Sequence, residues 1–372
     1  PRSQPYFIIV RLFMQERITH VCKRMKDAGL VQLLVTDPAA IFYLTGKMIH
    51  PGERFLGLLL NTDGTHRLFV NILFPVPEEL GVEKIRFSDT DAPMELVARY
   101  LDRDAVLGVD KVMASHFLLE LMELHAAYGY VNGSPCVDET RGCKSAEEQE
   151  KMIAASRLND EAMARFRELV RPGLTEAEAA RQVREIYREL GAEDVSFDPI
   201  VSFGANAADP HHEPDGTVLK PGDCVLFDVG CRLDGYCSDM TRTFFYRRVS
   251  PEQRKVYETV LAANLGAEGI MTPGVRFCDL DGKARRIIAE AGYGDFFTHR
   301  LGHSIGTEVH EPGDVSAVNR DTAKPGRIFS CEPGIYLPGQ FGVRIEDLCL
   351  ITETGVTVLN RYPKDLDVID PE

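Results

Sequence analysis

Two stretches carry acidic residues inside runs that otherwise read as buried strand. "FDVGCRLDGYCSDM" (227–240) holds Asp228 and Asp239, and "SCEPGIYLPGQFGVRIEDL" (330–348, from Ser330) holds Glu332 and Glu346. Each has a turn signal between its carboxylates, "LDG" in the first and Pro338-Gly339 in the second. The midpoint of 228 and 239 lies between Leu233 and Asp234, and that of 332 and 346 is residue 339. Residues equidistant from a hairpin turn are cross-strand neighbours with Cβ atoms about 4.5–5.5 Å apart. Each hairpin is therefore expected to set two carboxylates directly opposite one another. One such pair is ordinarily a solvated strand edge. Two pairs within apolar strands need cations, because like charges repel and a buried carboxylate must be paired. Asp347, beside Glu346, is expected on the other sheet face in a structural role, and Asp234, at the turn, in solvent.

Histidine is scarce and clustered. "THRLGHSIGTEVHEPG" (298–313) holds His299, His303 and His310, and "DPHHEP" holds His211 and His212. His303 sits between Gly302 and "SIG", where small residues let backbone approach a compact centre. A lone histidine there is ordinarily a core residue; beside four carboxylates it is the natural nitrogen ligand. Four carboxylates and one imidazole balance two divalent ions. A pair of ions about 3.5–4 Å apart activates a water near neutral pH, so the expected reaction class is hydrolysis by a metal-bound hydroxide. Oxygen-rich ligation favours Mn²⁺ and accommodates Co²⁺ or Zn²⁺. "VSFGAN" and "GHSIG" match neither a P-loop, a dinucleotide fingerprint nor a serine nucleophile elbow.

A net charge of −15 argues against nucleic-acid and anionic-membrane partners. The nine cysteines are odd in number and form no Cys-x-x-Cys pair, which points to reduced thiols and a cytoplasmic protein. Cys224, Cys231 and Cys237 are expected to fill strand cores. "PYFIIVRLFM" is short and broken by Arg11, so it is neither a bilayer span nor a cleavable signal. Met14 reads as a natural start, with residues 1–13 foreign to the native chain.

At 372 residues two domains are expected. After a helix from Met14 to about Leu30, strands are expected at 31–36, 40–46 ("AIFYLTG"), 54–61, 67–71 and 105–110, with helices near 91–101 and 114–127. "VNGSPCVDETRGCKS" (131–145) reads as the boundary. Beyond it, Ser145 and Thr175 are N-cap candidates for two helices, with further helices at about 251–270 and 279–291. Strands follow at 195–203, 223–230, 236–246, 327–335 and 341–351. Two helices followed by a hairpin occur twice, the pattern of a duplicated α+β half.

Taken in order, "DVGCRLDGYCSDMTRTFF", "GHSIGTEVHE", "EPGIY" and "GVRIED" resemble the signature blocks of the pita-bread metallopeptidases. That family includes methionine aminopeptidase, Xaa-Pro aminopeptidase and Xaa-Pro dipeptidase (prolidase). The resemblance spans about 145–360, and residues 14–130, with "DPAAIFYLTG", are similar to the N-terminal domain of the prolidase and creatinase branch. It implies an α+β fold: a pita-bread catalytic domain of duplicated α+β halves (143–372) after a smaller α/β creatinase/prolidase-type domain (14–135). By this resemblance Asp228 chelates one metal, Asp239 and Glu346 bridge both, and His303 and Glu332 complete the second metal's shell. Glu332 also shuttles a proton from the bridging water. His310 steadies the tetrahedral intermediate, and Arg344 stands behind the metal carboxylates. His299 and His211 match the family's other active-site histidines, His211 fitting better than His212.

The implied substrates are small peptides with proline second, cut by a bridging hydroxide; the implied assembly is a homodimer. An Xaa-Pro bond is a tertiary amide whose leaving nitrogen must be protonated, which a Lewis-acid pair and imidazole donors serve. His211 and "SF" (202–203) are expected to wall the proline ring. The intact ligand set argues against creatinase and against a non-catalytic binding module on this fold, and the N-terminal domain argues against methionine aminopeptidase. Many prolidases carry an arginine just after the "HE" pair for the dipeptide's carboxylate. Here "HEPGDVSAVNR" has Asp314 at that place, which keeps Xaa-Pro aminopeptidase as the alternative unless Arg320 or Arg54 substitutes. The short chain without an extended C-terminal tail favours the dipeptidase.

Overall fold

The structure, a computed structural model, describes the backbone from Gln4 to Pro371 and the side chains from Met14. The expectation for residues 1–13 lies outside the described side chains. The chain divides into two units, Pro1–Arg141 and Gly142–Glu372.

In the first unit α1 (Gln4–Asp27) leads to β1 (Gln32–Val35), α2 (Pro38–Thr45), β2 (Gly57–Asn61), β3 (Arg67–Asn71) and β4 (Glu83–Phe87). Then come α3 (Pro93–Ala98), β5 (Val106–Val109), α4 (Ser115–Glu123), β6 (Gly129–Asn132) and α5 (Ser134–Gly142). The six strands form one mixed sheet in the order β4-β3-β2-β1-β5-β6. "AIFYLTG" is not a strand but the body of α2. Asp37 caps that helix by accepting the Ala39 N–H, Pro38 occupies its first turn, and Gly46 closes it at φ 71°. Six of its eight residues are buried, so the apolar run has no helical period to distinguish it from a strand. The division between the units falls within 131–145, a stretch that also contains α5, and β4 is a short "EKIRF" whose Ile85 and Phe87 alternate with charged residues.

In the second unit Ser145 caps α6 (Ala146–Glu168) through a full capping box with Glu148, and Thr175 caps α7 (Glu176–Glu189). Strands β7 (Asp194–Val195), β8 (Ile200–Phe203), β9 (Cys224–Val229), β10 (Cys231–Leu233), β11 (Tyr236–Cys237) and β12 (Met240–Tyr246) follow. Helices α8 (Pro251–Glu268) and α9 (Phe277–Glu290) come next, then β13 (Gly302–Ser304), β14 (Glu311–Val315), β15 (Ile328–Cys331), β16 (Gly334–Leu337) and β17 (Phe341–Arg344). The unit ends with β18 (Asp347–Ile351), β19 (Val356–Val358) and β20 (Val368–Ile369).

The sheets repeat a plan. One runs β20-β12-β9-β8 and the other β14-β13-β15-β18-β19. In each, three successive antiparallel strands (β8-β9-β12 and β13-β15-β18) follow a helix pair, and a small hairpin (β10–β11 or β16–β17) is inserted between the second and third. Alternation along β9 sends Val225, Phe227 and Val229 into the core under α6 and α7, and Cys224 and Leu226 into the core that holds α8 and α9. Asp228 shares the face of Cys224 and Leu226. All nine cysteines are free, and Cys224, Cys231 and Cys237 are fully buried.

Candidate active site

The second hairpin keeps its expected register. Gly334 pairs with Arg344 and Cys331 with Asp347, a common register that places Glu332 across from Glu346 at the gap between the two ladders. The first hairpin does not. Asp228 pairs with Thr241, and Asp239 lies two residues before Thr241. The two aspartates therefore share a face as diagonal neighbours rather than as a direct pair. The turn is centred on Asp234-Gly235, one residue later than the midpoint reading, with φ of 48° and 78°. Gly230 permits the tight crossing behind Asp239: a Cβ there would lie 2.0 Å from the Ser238 carbonyl oxygen. Asp234 is exposed, as expected.

His303 enters from β13. Its N–H donates to Ser330 Oγ (3.0 Å), and Gly302 beside it passes so close to β15 that a Cβ would sit 2.0 Å from the Ser330 carbonyl oxygen. His303 Nδ1 lies 3.3 Å from the Ser304 carbonyl, which assigns the proton to Nδ1 and turns the Nε2 lone pair inward. Nε2 lies 3.6 Å from Asp239 Oδ2 and 3.5 Å from Glu332 Oε1. Asp239, His303 and Glu346 each offer a ligand atom within 4.8 Å of the others. Asp228 Oδ1 and Asp239 Oδ1 are buried without a hydrogen-bond partner. A lone pair facing carboxylate oxygens, beside orphaned buried oxygens, is the arrangement that divalent cations complete. The residues fit divalent metal.

Without a cation these groups resist charge. Burial pushes Asp239 well above the usual carboxylate range, and the neighbouring Asp228 and Glu332 push further. Glu346 is raised well above its ordinary value by burial and then by Asp239. Burial also raises Glu332 to about 7, with Arg344 opposing and Asp228 reinforcing. Burial lowers His303 to about 3, and His310 beside it, 4.2 Å between ring centroids, adds to that.

Arg344 is buried and fully engaged. Its Nη2 donates to Asp228 Oδ2 (2.5 Å), Nη1 to the Tyr336 hydroxyl (2.8 Å) and Nε to Thr241 Oγ1 (3.1 Å). Thr241 in turn donates to Glu346 Oε2 (2.7 Å). Tyr336 lies 2.8 Å from His299 Nε2, and His299 Nδ1 is 2.7 Å from the Arg300 carbonyl. His299, lowered to about 4 by burial and then by Arg344, thus has both ring nitrogens occupied. Tyr336 and Thr241 escape a search for motifs, but the register could have found them: Tyr336 is diagonal to Arg344 on one hairpin, and Thr241 faces Asp228.

These groups open on a cavity of about 500 Å³ that His211, His299, His303, His310, Arg300 and Arg344 help to line. Its apolar wall is Phe197, Ile200, Pro210 and Val309. Ser202 and Phe203, expected as that wall, are instead buried in the core. His212 points elsewhere, 2.7 Å from Glu176 Oε2. Glu176, His212 and Asp215 have metal-ligand proximity, but Glu176 already accepts bonds from Phe203 N–H, Asn206 and Asp215 N–H, so the group is a hydrogen-bond hub. Asp347 lies behind the site, paired with Arg242 (2.7 Å) and Lys364 (2.8 Å). Asp314, in β14 opposite His303, does not line the cavity, and neither does Arg320. Arg54 is paired with Asp89 within the first unit.

Known proteins share this design. The model of metallopeptidase family M24 matches residues 150–353, and that of the creatinase/prolidase N-terminal domain matches 17–143. The chain belongs to metallopeptidase family M24. It is 37% identical over 363 residues to a putative dipeptidase of Bacillus subtilis, YkvY, covering 95% of this chain and 99% of that one. Among solved structures, dipeptidase PepE from Mycobacterium ulcerans superposes with a TM-score of 0.90 at 32% identity, covering 97% of this chain and 99% of that one. A prolidase from Thermococcus sibiricus superposes with a TM-score of 0.89 at 33% identity, covering 95% and 99%. The M24 chain thus has the α+β pita-bread fold of the prolidase branch, preceded by a creatinase-type domain, and its family membership implies divalent metal ions. Among the described residues no helix is long and apolar enough to cross a membrane.

Proposed function

We propose that this metallopeptidase is an Xaa-Pro dipeptidase working with two divalent ions, Mn²⁺ in the first place. The observation that carries the reading is the convergence of Asp228, Asp239, His303, Glu332 and Glu346 with two orphaned buried carboxylate oxygens. Asp228 would hold one ion, Asp239 and Glu346 both, and His303 with Glu332 the other. When bound, the ions supply Lewis acidity toward the scissile carbonyl and lower the pKa of water. Glu332 then takes a proton from the attacking water and delivers it to the departing prolyl nitrogen. His310, lowered by burial and then by Arg300, is neutral and donates a hydrogen bond where the carbonyl oxygen gains charge. His211 flanks the substrate, and Phe197, Ile200 and Pro210 cover the pyrrolidine ring.

Nine free thiols support a cytoplasmic setting, and the assembly proposed is a homodimer. One observation favours a second reading. Asp314 stands where many prolidases have their carboxylate-binding arginine, which suits an Xaa-Pro aminopeptidase acting on longer peptides. Hydrolysis of Ala-Pro and Ala-Pro-Ala in Mn²⁺ separates the two. The dipeptidase cleaves Ala-Pro and spares the tripeptide, with EDTA abolishing turnover; efficient cleavage of Ala-Pro-Ala establishes the alternative. No stoichiometric divalent ion and no EDTA-sensitive hydrolysis would sink both.

A further inference from the structure

The cavity is lined by two arginines of opposite circumstance. Arg344 is buried and spends its three nitrogens on Asp228, Tyr336 and Thr241. Arg300 is exposed, and its guanidinium has no hydrogen-bond or ion-pair partner among the described residues. Its backbone, by contrast, is held on both sides, because the His299 carbonyl accepts from Arg285 Nη2 (2.8 Å) and the Leu301 N–H donates to Asp281 Oδ1 (3.0 Å). Three residues on, β13 delivers His303 to the centre. A fixed main chain with an unspent guanidinium, close enough for its charge to act on His303, His310 and Glu332, is a site awaiting an anion.

The charge balance says which anion. Two divalent ions offset the four carboxylates and Arg344 is already hydrogen-bonded, so Arg300 is the cation left over on the cavity wall. No lysine lines the cavity. A peptide whose N-terminal carbonyl lies at the centre and whose proline ring lies on the apolar wall ends, if it is a dipeptide, in a carboxylate beside the pyrrolidine. In a longer peptide that position is a neutral amide.

We infer that Arg300 binds the C-terminal carboxylate of an Xaa-Pro dipeptide and so takes the part that Asp314 cannot play. This rests on the dipeptidase reading and names the residue that enforces it. Arg300 is a specificity residue: the carboxylate contact is made equally in the ground and transition states, so its loss falls on KM.

The test compares Ala-Pro with Ala-Pro-amide in the Mn²⁺-loaded enzyme, for the parent, Arg300→Gln and Arg300→Lys. The parent should prefer the free acid. In Arg300→Gln, KM for Ala-Pro should rise about 10–100-fold with kcat little changed, collapsing the preference toward unity, while Arg300→Lys retains part of it. Binding supplies a second readout: L-proline should raise the Tm of the parent but not of Arg300→Gln, and prolinamide should raise neither. An unchanged acid-to-amide ratio in Arg300→Gln, with normal Ala-Pro turnover by the parent, overturns the Arg300 assignment and leaves the dipeptidase standing. A parent that cleaves neither substrate with two ions bound overturns the reading beneath it as well.

Discussion

The two halves of the catalytic unit share a topology and divide the chemistry unequally. In each, one carboxylate lies at or just past the end of the second strand and another just before the third: Asp228 and Asp239 in the first half, Glu332 and Glu346 in the second. The first strands then differ. β8 sets Ile200 opposite Asp228 and gives the cavity an apolar wall, whereas β13 supplies His303, whose Nε2 faces Asp239 and Glu332 and is the nitrogen proposed to hold metal. The turns differ too. The three-residue second turn (338–340) keeps Glu332 and Glu346 in direct register, while the two-residue Asp234-Gly235 turn leaves Asp239 diagonal to Asp228. Duplicated backbone fixes where ligands can stand; the side chain on the inward face of the first strand decides what each half contributes.

If the third-strand carboxylates are equivalent despite the register change, Asp239→Asn and Glu346→Gln should behave alike. Each should lower kcat by about 10²–10³-fold or more and reduce the bound metal from two ions to one, measured by elemental analysis beside steady-state kinetics. Near-normal turnover in Asp239→Asn alone would break the symmetry and the bridging assignment with it.

Asp347 sharpens the contrast from the other direction. It adjoins Glu346 but faces Arg242 and Lys364, and Arg242 also donates to the carbonyls of Glu346 (2.6 Å) and Tyr362 (2.8 Å). Asp347→Asn leaves two cations short of a buried counter-charge, so it should cost about 3–5 kcal/mol in chemical denaturation. Metal content should persist in the folded fraction. Lost metal at unchanged stability would show that the face, and with it the division of labour between neighbouring acids, is misassigned.

What could be read from the chain follows from period. The long helices, the N-caps at Ser145 and Thr175 and the Glu332–Glu346 register rest on local patterns that nothing overrides. "AIFYLTG" failed because a helix buried nearly all round has no polar face, although Asp37, Pro38 and Gly46 marked its ends. The first hairpin slipped because φ > 0 at a non-glycine residue, Asp234, moved the turn centre by one. The cavity wall failed for a different reason: alternation from Ile200 turns Phe203 into the core beside Val201, and Ser202, on the Ile200 face, is buried by packing. Tyr336 was within reach of the second hairpin's register, diagonal to Arg344, whereas Arg300 belongs to no spacing rule and becomes visible only when the rim is assembled.

The last contrast is in proton linkage, and it pits Glu332 against Asp347. In the metal-free protein burial raises Glu332 from its ordinary 4.5 to about 7. A raised folded-state pKa means the folded state binds the extra proton, so the stability this group contributes is whole below about 4.5 and is lost as pH rises through about 7. Burial acts on Asp347 in the same sense, but Arg242 and Lys364 outweigh it and lower its pKa, so its contribution is present above the unfolded value and lost as pH falls. His303, lowered to about 3, also loses its contribution as pH falls, so the parent's own profile mixes opposing slopes. Substitutions separate them. Metal-free Glu332→Gln should match the parent near pH 4 and exceed it at pH 8 by on the order of a few kcal/mol, the gap opening between about 4.5 and 7. Asp347→Asn should fall below the parent at pH 8, with the deficit narrowing in acid. Saturating Mn²⁺ should invert the first result at pH 8, because the parent then gains binding energy that the glutamine variant lacks. Parallel pH slopes for the two variants, measured by thermal melts across that range, would mean that Glu332 sits in no more hostile an environment than its structural neighbour.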